Sequence, residues 1–136
     1  MSHPKRVMLI DDDPDDQLFF RDAIHIVQPG LHCELTSNCQ EAFRKLELPP
    51  PPDYIFLDLN MPVMNGFECL VHLKNQESYK DIPVVIFTTS KNLNDITKTQ
   101  QLGAKWFVTK PDDFKVLCKK ISKILQKDSL DGVYTI

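Results

Sequence analysis

Five short apolar runs divide the chain, and between them apolar residues recur at helical spacing. Arg6-Val7-Met8-Leu9-Ile10 and Tyr54-Ile55-Phe56-Leu57 are continuous rather than alternating, as expected of strands buried on both faces of a parallel sheet. His32-Cys33-Glu34-Leu35-Thr36 reads as a shorter strand between them. A fourth run, residues 82–87, contains a Pro tolerated at a strand opening and ends in Thr88-Thr89-Ser90. The fifth, residues 105–109, leads into Lys110-Pro111.

Helix signals fill the intervals. Asp13 is an N-cap, Pro14 suits the first helical position, and Asp15 and Asp16 favour the positive end of the dipole. That helix carries Leu18, Phe19, Phe20, Ala23, Ile24 and Val27 and stops near Pro29-Gly30. A second covers residues 41–46 with Asn38 near its start. A third follows Asn65-Gly66 over residues 67–74, with Phe67, Leu70, Val71 and Leu73 as its apolar members. A polar fourth helix, residues 93–102, is stopped by Gly103. The last, residues 114–125, places Phe114, Leu117, Cys118, Ile121 and Leu125 on one face and Lys115, Lys119, Lys120 and Lys123 outward. Pro49 to Pro52 make an extended connection. Residues 127–136 have no usable periodicity; with Leu130, Val133, Tyr134 and Ile136 they form a tail that is either unstructured or a segment for self-association. Strict alternation predicts an α/β doubly wound sheet of five parallel strands flanked by five helices.

Composition adds limits. The 136 residues suit one domain, and 42% hydrophobic with 26% charged residues is ordinary for a globular protein. A net charge of −3 gives no electrostatic footprint for nucleic acid. The start of the chain has neither a secretory signal nor a membrane span, so the cytoplasm is expected and no membrane partner is. Cys33, Cys39, Cys69 and Cys118 are scattered and predict free, packed thiols. His3, His25, His32 and His72 are equally dispersed and suggest no histidine metal site. With 4 Gly and no G-x-G-x-x-G after the first strand, a nucleotide-cradling loop is missing.

The chemistry concentrates at strand ends. In open α/β sheets ligands bind outside the carboxyl ends of the strands, and there the chain carries Asp11 and Asp12, Asp58 with Asn60, Thr88, and Lys110. Capping accounts for Asp13 but not for Asp11 and Asp12. Two like charges about 4 Å apart repel by roughly 4 kcal/mol at an effective dielectric of 20. A divalent cation relieves such crowding, and oxygen-only ligands suit Mg2+ or Mn2+. Lys110 adds a fixed positive charge and Thr88 a hydroxyl, which together make a cradle for a phosphoryl group with Asp58 as nucleophile. A structural ion pair between Lys110 and the acids is the simpler alternative.

In combination these motifs resemble the response-regulator receiver domain, and the chain is similar to the single-domain chemotaxis regulator. The likeness rests on a strand ending in Asp11-Asp12, a strand ending in Asp58 followed by Met61-Pro62 and Gly66, a strand ending in Thr88, and Lys110-Pro111 after the last strand. It covers residues 5–126 as a receiver domain and leaves 127–136 as a C-terminal tail. It implies a flavodoxin-like strand order 2-1-3-4-5. It further implies that Asp58 accepts a phosphoryl group from a phosphohistidine on a histidine kinase or a phosphotransfer protein. Asp12 would coordinate Mg2+ directly and Asp11 largely through water, with Asp58 and the Asn60 backbone carbonyl completing the set. Lys110 would contact the phosphoryl oxygens across a cis Lys110–Pro111 bond, and Thr88 would move toward the new group. Phe107 stands where the family commonly has a switch Tyr, so its inward state needs no hydrogen-bond partner. Trp106 is either part of the responding surface or an ordinary buried aromatic. The chain would be a phospho-acceptor rather than an enzyme on a separate substrate, although it catalyses its own phosphorylation and dephosphorylation. The short stretch after the fifth helix leaves no room for a DNA-binding output domain, so a downstream effector protein is implied. The Pro run and the strand-four region also look like the stand-alone regulators paired with bacterial phytochromes or hybrid kinases.

Two other classes compete. Asp11-Asp12-Asp13 contains the D-x-D of haloacid-dehalogenase-like phosphatases, but Asp112-Asp113 open a helix instead of ending a separate strand. A receiver-like module that no longer accepts phosphate is the third reading, with Phe107 as its only support.

Overall fold

In a computed structural model of the chain, which describes residues 4–126 and 132–136, five parallel strands form one sheet in the order β2-β1-β3-β4-β5. The elements are β1 (Arg6–Ile10), α1 (Pro14–Val27), β2 (His32–Thr36), α2 (Cys39–Leu46), β3 (Tyr54–Leu57), α3 (Gly66–Lys74), β4 (Val84–Thr88), α4 (Leu93–Gln101), β5 (Trp106–Thr109) and α5 (Phe114–Gln126). No helix among the described residues is long and apolar enough to cross a membrane.

Strand parity sorts the core into two layers. Val7, Leu9, Tyr54, Phe56, Val85, Phe87, Trp106 and Val108 face one side and pack against α1 and α5 through Phe20, Ile24, Leu117 and Ile121. Met8, Ile10, Ile55, Leu57, Val84, Ile86 and Phe107 face the other and meet Ala42, Leu70 and Leu73 of α2 and α3. Because both faces are covered, the strand interiors read as unbroken apolar runs.

The helices begin where polar side chains can satisfy their free amides. Asp13 accepts from the amides of Asp15 and Asp16 at 2.8 and 3.3 Å. Asn38 caps α2, and Asn65 with Glu68 closes a reciprocal capping box on α3. α2 therefore opens at Cys39, earlier than the apolar pattern alone indicates.

The reading of four free thiols is corrected for one pair. Cys39, the first residue of α2, and Cys69 of α3 are joined as a disulfide with a Cα separation of 5.9 Å, while Cys33 and Cys118 are free. Both paired residues are fully buried under the same sheet face. A sequence separation of 30 offers no local motif to reveal them.

Trp106 is 3% exposed and packs beside Tyr54, which makes it a core residue and not part of an outer surface. The tail contributes structure as well. Thr135 forms a parallel bridge to Phe107, the Phe107 amide donates to the Tyr134 carbonyl at 2.8 Å, and the Ile136 amide donates to the Phe107 carbonyl at 3.0 Å. Residues 127–131, Leu130 among them, lie outside the described residues.

Candidate functional site

Parallel register brings the carboxyl ends of β1, β3, β4 and β5 to one edge of the sheet. Ladder bonds continue one residue beyond the strands: the Asp11 amide donates to the Thr36 carbonyl, and the Asp58 amide to the Ile10 carbonyl, each at 3.0 Å. Asp11 and Asp58 are thereby held on rigid backbone next to each other. One carboxylate oxygen from each of Asp11, Asp12 and Asp58 lies within 4.8 Å of the others. Asp11 and Asp58 are buried and Asp12 is exposed, so the cluster opens to solvent on the Asp12 side.

Lys110 ties the cluster together. Its backbone amide donates to the Thr88 carbonyl at 2.7 Å, fixing the residue beside the end of β4. Its ammonium donates to Asp11 Oδ2 at 2.7 Å and to Asp16 Oδ2 at 2.8 Å, and stands 3.5 Å from Asp58 Oδ2. Burial opposes the ammonium form, but the bonds to Asp11 and Asp16 and the charges of Asp11 and Asp58 outweigh it and hold Lys110 above its ordinary value. Burial pushes the Asp11 carboxyl up to about 6, partly opposed by the hydrogen bond from Lys110 and by the Asp13 amide, and assisted by the charge of Asp58. Asp12, Asp16, Asp58 and Lys110 line a cleft of about 460 Å³ together with Asn60 and Thr89.

Thr88 stands at the carboxyl end of β4, as the sequence places it. It is fully buried, and its hydroxyl oxygen accepts from Asn60 Nδ2 at 3.4 Å and from the Ser90 amide at 3.5 Å. Its link to Asp58 runs through Asn60, whose amide donates to Asp58 Oδ1 at 3.3 Å. Thr89, one residue on and of opposite parity, is the threonine that lines the cleft. The expected cis Lys110–Pro111 bond is not found: Pro49–Pro50 is the only cis peptide among the described residues. A trans bond, the form ordinarily favoured before Pro, already lets Lys110 reach its partners. Phe107 is turned inward, 1% exposed.

Asp16 is the residue that sequence reasoning missed. The sequence pattern ties it to the helix dipole, yet its side chain turns back to Lys110. Its position three residues after the cap, where a capping-box acid looks back toward the preceding strand, is the signal that pointed there. Gln17 is a second omission; its Nε2 donates to the Asp11 carbonyl at 2.7 Å and braces the end of β1.

A doubly wound sheet whose ligand edge carries crowded acids and a buried ammonium, in place of a glycine-rich loop, defines an acid-based phosphoryl-handling class of α/β domain. The chain belongs to the response regulator receiver domain family, which matches residues 7–122. It is 30% identical to response regulator Rcp1 of Synechocystis sp. over 89% of this chain and 86% of that protein. It is 28% identical to protein PilH of Pseudomonas aeruginosa, over 88% of this chain and 97% of that one. Among solved structures, the phosphorylated cyanobacterial phytochrome response regulator RcpA superposes with a TM-score of 0.81 at 28% identity, covering 90% of this chain and 91% of that chain. The Mn2+-bound form of Rcp1 gives 0.78 at 29% identity, with 96% and 97% covered. The chain is thus a receiver domain homologous to single-domain response regulators of two-component systems.

Proposed function

We propose that this receiver domain, residues 5–126, accepts on Asp58 the phosphoryl group of a phosphohistidine carried by a histidine kinase or a phosphotransfer protein. A carboxylate oxygen of Asp58 bonds to phosphorus as the phosphorus–nitrogen bond breaks, and the imidazole leaves with the electron pair and takes up a proton. Lys110 meets the negative charge on the phosphoryl oxygens; its 3.5 Å approach to Asp58 is the observation that carries the reading. Thr89 and Asn60 line the space the group enters. Asp16 and Asp11 keep the ammonium at the cleft floor.

The donor set fits a hard divalent cation: three carboxylates with oxygens within 4.8 Å, one of them pushed toward protonation by burial and crowding. Asp11, Asp12, Asp58 and the Asn60 carbonyl would hold Mg2+ or Mn2+. Its charge offsets the repulsion between the acids and the incoming phosphoryl oxygens. The Mn2+-bound relative supports this choice.

The same residues serve loss of the phosphoryl group to water, so the domain sets its own signal lifetime. Its output is a downstream effector protein in the cytoplasm, reached by the monomer or by a homodimer. The likeness to phytochrome response regulators makes a phytochrome-type kinase the first donor to assay.

The test is intact-mass analysis after incubation with acetyl phosphate or phosphoramidate and Mg2+, alongside fluoroberyllate binding. An adduct that needs Mg2+ and disappears in Asp58→Asn supports the acceptor. Absence of both adduct and fluoroberyllate complex makes a phosphate-independent binding module the better reading.

A further inference from the structure

The outer edge of β5 is the sheet's last edge, and an uncovered edge strand is an open template for pairing. Here the chain's own C-terminus occupies it. The Phe107 amide and carbonyl bond to the Tyr134 carbonyl and the Ile136 amide. Tyr134 adds a second anchor: its ring lies 6.4 Å from that of Phe107, and its hydroxyl is 2.8 Å from Thr99 Oγ1 on α4. Ile136 packs against the layer under α1 and α5, and Tyr134 against the opposite layer. The terminal strand therefore grips both faces of β5.

This anchor is connected to the acidic cleft by polar contacts. Asn60, whose amide donates to Asp58, bonds through Nδ2 to Thr88 Oγ1. The Ser90 amide shares that oxygen, and Ser90 Oγ donates to Asp95 Oδ2 at 2.7 Å. The buried Thr99 hydroxyl donates to the Asp95 carbonyl at 2.8 Å and accepts from Tyr134. Its two links at Thr88 are long, at 3.4 and 3.5 Å. The Thr88 hydroxyl accepts in both, leaving its proton available to a new anion at Asp58.

We infer that the β5 edge is a strand-docking surface, filled in the resting chain by Tyr134–Ile136, and that an anion on Asp58 loosens this docking through Thr88, Ser90, Asp95 and Thr99. The inference rests on the reading of Asp58 as the acceptor. When the Thr88 hydroxyl turns to the anion, the Ser90 amide loses its acceptor and Ser90 its hold on Asp95. The support beneath the Thr99–Tyr134 bond weakens, and the strand leaves.

Coupling of this kind is reciprocal: what filling the site does to the strand, removing the strand does to the site. Two measurements on the full chain test it. Amide exchange at Ile136 and Phe107, read by NMR, is expected to speed up when fluoroberyllate and Mg2+ are added. Fluoroberyllate affinity is expected to rise about two- to tenfold in Tyr134→Phe, the equivalent of one hydrogen bond, and at least as much in a chain lacking residues 132–136. Binding that leaves exchange unchanged, with the parent affinity in both variants, overturns the coupling while Asp58 stands. Absence of any fluoroberyllate binding overturns the acceptor reading and the coupling with it. Protection at Ile136 that rises with protein concentration overturns docking within one chain.

Discussion

Gly66 lies against the backbone carbonyl of Asp58 so closely that a β-carbon on it would overlap that oxygen, and would come within 2.6 Å of Leu59 Cα. The Gly66 amide donates to the Leu59 carbonyl at 3.0 Å, so the start of α3 and the loop after Asp58 are one unit. Gly66→Ala must push the Asp58 backbone or the helix aside. The expected loss is about 1–3 kcal/mol of stability, as for other overpacked sites, measured by urea unfolding. Fluoroberyllate affinity falls with it. A variant with parent stability and affinity would show that the loop yields freely.

Lys110→Met removes the positive member of a buried cluster and leaves Asp11, Asp16 and Asp58 facing one another. Breaking one side of such a buried pair costs about 3–5 kcal/mol. The loss should be greatest near pH 8 and shrink near pH 5, where Asp11 protonates. Equal losses at both values would mean that packing by the lysine stem, not charge, is what matters.

Asp11 has a carboxyl raised from 3.8 to about 6, chiefly by burial. A raised acid favours the folded state only while protonated. That contribution is complete below 3.8, and it is lost as the pH rises through 6. At pH 7.5 without Mg2+ the folded chain therefore carries a penalty of up to about 3 kcal/mol. Asp11→Asn, which cannot ionise, should unfold at a higher urea midpoint than the parent at pH 7.5 in EDTA, and the gain should vanish near pH 4. A gain that does not change with pH would refute the electrostatic cause.

Trp106 opens β5 opposite Val85, three positions before Thr88 pairs with Thr109. That offset is about 10 Å along the strand. Mg2+ bound at the acids should leave its emission intensity unchanged, and the emission should be that of a buried indole. Strong quenching by Mg2+ with an intact fold would place the metal elsewhere.

Continuous apolar runs made the strands readable, because a sheet covered on both faces has no polar face to encode. Asp13-Pro14 and Asn65-Gly66 fixed helix starts through purely local bonds. Asp11, Asp12, Asp58 and Lys110 could be grouped because all of them stand at strand ends. The contacts that escaped are those made across the fold. Asp16 finds Lys110 at a separation of 94 residues, Cys39 finds Cys69 at 30, and Asn60 finds Thr88 at 28. Thr135 pairs with Phe107 although the tail has no alternation, since a single bridge needs only backbone. Periodicity reports which face a residue takes and says nothing of the partner waiting there.

Lys110 and Asp11 meet across 99 residues, the first strand's end joined to the last's. During synthesis Asp58 emerges long before the ammonium that steadies its neighbourhood, so a chain truncated ahead of Lys110 holds the acids without their counter-charge. Only a chain folded through β5 therefore sets a cation among the crowded carboxylates, so the cleft is completed last.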